Sequence, residues 1–553
     1  MTSLTGVGIG RSLVVGPVLR MPDRLPEPAT LPSTIGPDGE RERVTTALAA
    51  TAEDIRSRGE KAGGKAQEVL EAQALMAEDP TLRSDIDVRV DNGATADRAV
   101  FEAFAGFRDM LLGIGGYMAE RATDLDDVSQ RVVARLSGVA APGVPESDTP
   151  FVLVARDLAP ADTALLDLQK VLAVLTSEGG PTSHTAILAR EKSIPAIVGI
   201  SGILDMADGT VVIADASTGA VTVDPSEEEL RRAAGETAAR AQRSAVPVGP
   251  GALADGTPIP LLANLGSAEG VEGAVAAGAE GVGLFRTEFL FLDAKTAPSV
   301  AQQYGHYAKL LRGFPGRKVV VRVLDAGADK PLSFLNDAPE ENPALGLRGL
   351  RALRATEQIL RDQLTALARA AGETDADLWV MAPMVSTVEE TRYFVALARE
   401  LGLKTAGVMV EVPSAALLAD RVLAEADFAS IGTNDLTQYT LAADRLLGSV
   451  ASFQDPWHPA VLRLVREVGR AGAALGKPVG ICGEAAADPL LAVVLVGLGA
   501  TTLSMSPSAL GDVRAELLQH TREQAVAFAD AALTAEDGAT ARAAVRALLP
   551  QHV

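Results

Sequence analysis

Aromatic residues make up only 4% of this 553-residue chain, so its cores must rest on alanine, valine and leucine. A single cysteine, Cys482, excludes an internal disulfide framework and fits a reducing compartment. No run of about 18 uncharged apolar residues occurs, which leaves no helix suited to spanning a membrane. Residues 1–20 lack the basic start and unbroken apolar stretch of a secretory signal. Basic residues are in deficit as well, 50 lysines and arginines against 72 aspartates and glutamates, for a net charge of −22. A general nucleic-acid binder draws its affinity from basic residues set against phosphates, so that class is disfavoured. The acidity suits a basic protein partner, whose encounter opposite charge would steer, and it serves solubility equally well. A cytoplasmic location with no membrane insertion is expected.

What is present has the proportions of a globular protein, 47% hydrophobic and 22% charged residues. Its length exceeds a single core and predicts about two to four domains. Residues 1–20 read as β, with Leu13-Val14-Val15 running into Gly16-Pro17, and a proline-rich stretch from Pro22 to Pro37 follows. From Gly39 to Arg135 the pattern is helical, broken at Asp79-Pro80 and Asp91-Asn92-Gly93, and it predicts a bundle of about four helices. Short β-like runs return at Phe151–Ala155, Val171–Thr176, Ala196–Gly199 and Thr210–Ala214, and Ser217-Thr218-Gly219 turns the chain into Ala220–Val223. The helical block therefore reads as an insertion into a small α/β domain. Ser226 and Glu229 form a capping-box signal that opens a connecting helix reaching about Arg243.

Beyond residue 250 strand and helix patterns alternate. Strand candidates are Pro260–Ala263, Gly281–Phe285, Val319–Leu324, Leu378–Pro383, Gly407–Val410, Phe428–Ile431, Pro478–Ile481 and Thr501–Ser504. Such a series predicts a (β/α)8 barrel with its site at the C-terminal ends of the strands. Asn264, Arg286, Asp325, Met384, Glu411, Asn434 and Cys482 all fall at or just past those ends.

Several constellations carry chemistry. Gly179-Gly180-Pro181-Thr182-Ser183-His184 followed by Thr185-Ala186-Ile187-Leu188-Ala189-Arg190 describes a loop feeding a helix. A histidine at a helix start sits where free N–H groups favour phosphate, and neutral imidazole is a competent phosphoryl acceptor. A lone histidine there would more often be a buried cap. His306, His458, His520 and His552 have no comparable context. In the barrel, Arg286, Arg322, Arg348 and Arg445 offer guanidinium forks to a ligand bearing phosphate and carboxylate. Most arginines make surface ion pairs, but a barrel strand is a poor place for the unpaired charge of Arg322. Glu411 and Asp435, at adjacent strand ends, match magnesium's preference for one or two carboxylates, although either alone could cap a helix. Cys482 lies at a strand end in Gly480-Ile481-Cys482-Gly483-Glu484, though a lone cysteine is more often a small core residue.

The histidine string resembles the phosphohistidine signature shared by Enzyme I of the bacterial sugar phosphotransferase system, phosphoenolpyruvate synthase and pyruvate phosphate dikinase. The Arg286 segment, Ile431-Gly432-Thr433-Asn434-Asp435-Leu436-Thr437-Gln438-Tyr439 and Gly480–Ala485 follow in the order of Enzyme I. The likeness thus spans essentially the whole chain. The relatives place a nucleotide-binding domain upstream of the histidine, where this chain reads as helical. Gly6-Val7-Gly8-Ile9-Gly10 completes neither a dinucleotide fingerprint nor a P-loop.

The resemblance implies an α/β phosphohistidine domain (1–24 and 143–225), an inserted helical HPr-binding domain (25–142), a linker helix (226–250) and a (β/α)8 barrel (251–553) that binds phosphoenolpyruvate and dimerises. It implies phosphoryl transfer from phosphoenolpyruvate to His184 and on to the phosphocarrier HPr, with release of pyruvate, as the first step of sugar transport. In that reading Mg²⁺ rests on Glu411 and Asp435. Arg286, Arg322, Asn434 and Arg445 clamp the substrate, Arg348 stabilises the enolate, and Cys482 donates the proton. Glu68, Glu71 and Glu78 are expected HPr contacts, with a solvated helix face the plain alternative. Pro181 departs from the family pattern, which often has arginine there, and Asp325–Lys330 is poor in glycine. An ATP-dependent synthase- or dikinase-like enzyme and a catalytically silent regulatory paralogue are the rival readings.

Overall fold

The computed structural model describes every residue except 1, 11, 23, 63, 115–116, 140, 142, 146, 159–165, 168–169, 181–184, 187–188, 190–193, 245–247, 292–293, 295, 328–331, 333, 336–339, 446–449, 451–452 and 550–553. It divides into two compact units, Met1–Thr237 and Ala238–Arg445 with Ser449–Val553.

The first unit holds an eight-stranded mixed sheet of β1 (Thr2–Thr5), β2 (Val7–Ile9), β3 (Leu13–Arg20), β4 (Phe151–Ala155), β5 (Val171–Thr176), β6 (Ala196–Val198), β7 (Val211–Asp215) and β8 (Ala220–Val223). Their spatial order is β1-β8-β7-β3-β4-β5-β6-β2. The opening residues thus supply three strands where the sequence suggested one short β element. β4 is buried along its whole length, which is why it reads as an unbroken apolar run. β3 and β4 are parallel neighbours, Val18 opposite Val152, although the helical block lies between them in the chain. The insertion into an α/β domain is therefore a property of the sheet itself.

That block comprises α1 (Gly36–Ala62), α2 (Gly64–Ala77), α3 (Pro80–Asp91), α4 (Ala96–Ile114) and α5 (Tyr117–Ser137). Among the described residues the block has five helical segments where about four were expected. The Asp79-Pro80 break is present: the Asp79 carboxylate accepts from Thr81 and Leu82 N–H, with Pro80 in the first turn where no N–H is needed. The two divisions not foreseen lie between the end of α1 at Ala62 and the start of α2 at Gly64, and between Ile114 of α4 and Tyr117 of α5. Small residues let the helices pack closely around Val44, Leu48, Ile86, Phe104 and Val128. Ser226 and Glu229 form the expected reciprocal cap at the start of helix Glu227–Ser244.

The second unit is a closed barrel of eight parallel strands: β9 (Leu261–Leu265), β10 (Val282–Phe285), β11 (Lys318–Arg322), β12 (Asp377–Ala382), β13 (Thr405–Val410), β14 (Ala429–Ile431), β15 (Val479–Ile481) and β16 (Thr502–Met505). All eight expected strands are present, and β16 pairs back onto β9 to close the ring. Inside, Leu284, Val320, Met381, Met409, Phe428 and Cys482 form a packed core. Trp379 packs against Phe428 near its floor, ring centroids 4.8 Å apart and the planes tilted by 52°. No helix among the described residues is long and apolar enough to cross a membrane.

Candidate active site

Parallel strands deliver their last residues to one rim of the barrel, and that rim gathers the charged residues. Arg322 ends β11 and is buried, 6% exposed, yet it is not unpaired. Its Nη2 bonds Glu288, and its Nη1 lies 3.0 Å from Asp325 and 3.7 Å from Glu411. Arg348, 3% exposed, reaches Asp325 at 3.3 Å and Asp435 at 3.4 Å. Arg445, partly exposed, takes the other Asp435 oxygen at 3.3 Å. Burial alone would lower the affinity of both buried guanidiniums for their protons. The surrounding carboxylates, Glu288 and Asp325 for Arg322 and Asp325 and Asp435 for Arg348, overcome that and hold both firmly charged.

Glu411 follows β13 directly. Its Oε2 accepts from Met384 N–H at 2.9 Å, and Gly432 leaves room beside it that a Cβ would fill at 2.8 Å from Oε1. Met384 holds that N–H in place from φ 55°, a left-handed conformation that costs a non-glycine residue about 1–3 kcal/mol. Burial, then the charge of Asp435, pushes the Glu411 carboxyl up to about 7, with Arg322 opposing. Four buried carboxylates, Glu288, Asp325, Glu411 and Asp435, therefore face two buried guanidiniums. Glu288 Oε2, Arg322 Nε and Thr433 Oγ1 find no partner among the described residues. Surplus negative charge and open polar atoms are what a divalent cation with its bound oxygens answers, so Glu411 and Asp435 fit Mg²⁺. Among the described residues no group of three or more histidines, cysteines and carboxylates is arranged to hold a metal, so water and substrate oxygens would complete the shell.

Asn434 and Asp435 lie in the first turn of helix Thr433–Leu441 after β14. The Asn434 Oδ1 accepts from Glu484 N–H at 3.0 Å, which leaves Nδ2 as the donor. Cys482, 2% exposed, donates Sγ–H to Ile431 O at 3.5 Å, and the Ser430 side chain lies close enough to favour its thiolate. Burial pushes its thiol up to about 11, so it stays protonated at neutral pH. Asn264 holds the Cys482 carbonyl at 3.0 Å. Arg286, just past β10, is exposed.

The barrel thus brings together Arg322, Arg348, Arg445, Glu411 and Asp435, and carries Asn434, Cys482 and Arg286 at the ends of neighbouring strands. Sequence reasoning placed Asp325 at a strand end without a role of its own and gave Glu288 none. The signal was their position, just past β10 and β11. His184 lies outside the described residues, as do Pro181, Thr182 and Ser183. Next to it, Thr185 donates to Asp157 Oδ1 at 2.7 Å and accepts from Leu158 N–H at 3.2 Å. Glu71 and Glu78 both pair with Arg56, Glu78 through two bonds of 2.9 and 2.6 Å. The Glu68 side chain is outside the described residues.

Family comparisons agree along the chain. Residues 240–522 match the PEP-utilising enzyme, PEP-binding domain; residues 147–219 the mobile domain; and residues 5–121 the N-terminal domain. A phosphoenolpyruvate-protein phosphotransferase of Streptomyces coelicolor is 53% identical over 99% of both chains. Others from Haloferax volcanii and Lactococcus lactis subsp. lactis are 40% and 37% identical over 97% and 93% of both chains. The chain belongs to the phosphoenolpyruvate-protein phosphotransferases, the Enzyme I family of PEP-utilising enzymes.

Proposed function

We propose that this protein transfers the phosphoryl group of phosphoenolpyruvate to its own His184 and then to the phosphocarrier HPr, releasing pyruvate as the first step of the sugar phosphotransferase system. The observation that carries the chemistry is the rim of the closed barrel, where buried carboxylates, arginines and a protonated thiol meet at the strand ends. The exposed Arg286 and the partly exposed Arg445 take the phosphate and carboxylate of the substrate, with the Nδ2 of Asn434 as a neutral donor. Arg322 and Arg348, fixed below by Glu288 and Asp325, hold positive charge beneath the reacting oxygens without reorganisation. Held by Glu411 and Asp435, Mg²⁺ would add charge neutralisation at the phosphate and enolate oxygens.

A His184 ring nitrogen attacks phosphorus as the P–O bond to the enol breaks, and positioning with charge stabilisation does most of the work. Arg348 balances the enolate oxygen, and the Cys482 thiol gives its proton to the methylene carbon, completing pyruvate. A thiol kept neutral by burial still carries its proton at neutral pH when the enolate forms.

The same reading assigns 1–24 with 143–225 as the phosphohistidine domain, 25–142 as the HPr-docking block, 226–250 as the linker and 251–553 as the substrate-binding and dimerising barrel. Exposed Leu75, Met110 and Leu112 on the helices give HPr apolar surface, whereas Glu71 and Glu78 are already occupied by Arg56. Cytoplasmic function as a homodimer completes the proposal. Incubation with phosphoenolpyruvate and Mg²⁺, without nucleotide, tests it: acid-labile phosphate on His184 that HPr removes is expected. Labelling only after ATP is added would instead make it a synthase- or dikinase-like enzyme.

A further inference from the structure

Each turnover in the proposed reaction strips Cys482 of a proton, and a thiolate so deeply buried needs a route for its return. Toward the floor of the barrel lies a small cavity lined by Lys318, Trp379, Ser430, Gly480, Thr502 and Ser504, among others. It is water-sized and partly polar. Gly480 creates part of the gap: a Cβ there would sit 2.9 Å from Thr502 Oγ1 and 3.7 Å from Ser430 Oγ, so both hydroxyls face the space that its absence leaves. Ser504 is otherwise engaged, donating to Asn264 Oδ1. Ser430 contacts both this cavity and the Cys482 sulfur. At the floor, Lys318 is partly exposed, with its Nζ 3.5 Å over the Trp379 ring, and lines the same cavity.

We propose that the Ser430 hydroxyl, fed by water in this cavity from the Lys318 ammonium, returns to Cys482 the proton that each turnover removes. The inference rests on Cys482 being the proton donor. In the step, the Ser430 O–H bond breaks as the S–H bond forms on the thiolate. The serine oxygen takes a proton from the cavity water, the water takes one from Lys318 Nζ, and the amine recovers its proton from solvent. One proton moves and none is left over. The direction is downhill: burial pulls Lys318 down to about 8 against the charge of Asp377, whereas the thiol stands at about 11. The arrangement leaves the mouth of the barrel free for substrate while the acid is reloaded from beneath.

The test separates the first turnover, which uses a proton already on sulfur, from later ones, which need its return. The full chain is mixed with phosphoenolpyruvate, Mg²⁺ and excess HPr, and pyruvate is followed by rapid quench. Ser430→Ala and Lys318→Met are expected to form the first pyruvate per active site at the parental rate and then to slow about tenfold. Ser430→Thr, which keeps the hydroxyl, should restore steady turnover. Parental steady rates in either of the first two variants would overturn the relay and show that the thiolate is protonated by another route. Equal slowing of the first and later turnovers would also overturn it, since that marks a packing role. A normal first turnover in Cys482→Ala would instead refute the donor assignment on which the relay rests.

Discussion

Replacing Glu411 with glutamine isolates the electrostatic strain at the barrel mouth. The Glu411 carboxyl is buried and pushed from 4.5 up to about 7, so between those pH values the folded state binds more protons than the unfolded chain. Stability contributed at this position is therefore greatest below pH 4.5 and is lost as pH rises towards 7. A shift of this size corresponds to roughly 3 kcal/mol at most, since one unit is worth about 1.4 kcal/mol. Glutamine keeps the acceptor for Met384 N–H but cannot ionise. Without divalent cations, Glu411→Gln should leave the barrel more stable than the parent by about 2–3 kcal/mol at pH 8, with the gap closing towards pH 5. Both tryptophans, Trp379 and Trp457, lie in the barrel unit, so urea denaturation read by tryptophan fluorescence reports that unit alone. Saturating Mg²⁺ at about a hundred times its dissociation constant should then stabilise the parent by about 2.7 kcal/mol and the variant far less. Identical pH dependence of the two proteins between pH 5 and 8 would refute the account of the site as carrying surplus negative charge.

His184→Ala should abolish phosphorylation by phosphoenolpyruvate while the substrate still raises the urea midpoint of the barrel; retained phosphoryl transfer in that variant would remove His184 from the reaction. Arg322→Met leaves Glu288 without its guanidinium and should cost about 3–5 kcal/mol in the same fluorescence assay, because a buried charge loses its partner. Cys482→Ala should fold with an unchanged fluorescence transition but form pyruvate at least about a hundredfold more slowly. In the parent, alkylation of the buried thiol should be slow at pH 7 and accelerate only as pH approaches its raised value of about 11, checked by mass spectrometry across pH.

The barrel was legible because its strands are buried on both faces and so read as short apolar runs such as Val319-Val320-Val321, each separated by a helical pattern. Glu411 and Cys482 stood out because a polar residue immediately after such a run is placed at the rim by the fold alone. Asp325 was placed at a strand end by the same rule but given no role, and Glu288 was given none, because an acid in a loop has many ordinary uses. Only the pairing of residue 288 with residue 322, across strands, shows what these do. The role of Met384 was hidden for a different reason, since it acts through its main-chain N–H, which every residue but proline possesses. In the helical block, the Asp79-Pro80 and Asp91-Asn92-Gly93 breaks announce themselves, whereas the divisions after Ala62 and after Ile114 fall in sequence with neither proline nor an Asx turn signal.

The pairing of β3 with β4 across the helical block has a consequence for how the chain is made. β1, β2 and β3 leave the ribosome first, yet their antiparallel partners β8, β6 and β7 are encoded close to 200 residues later. At about 5–20 residues per second, these strands wait roughly 10–40 s with unsatisfied edges. The helices between them make mostly local contacts and can fold during that interval, drawing the ends of the insertion together before β4 emerges. Nascent-chain protection by a chaperone would be needed most in that window, and slower translation through the helical block would lengthen it.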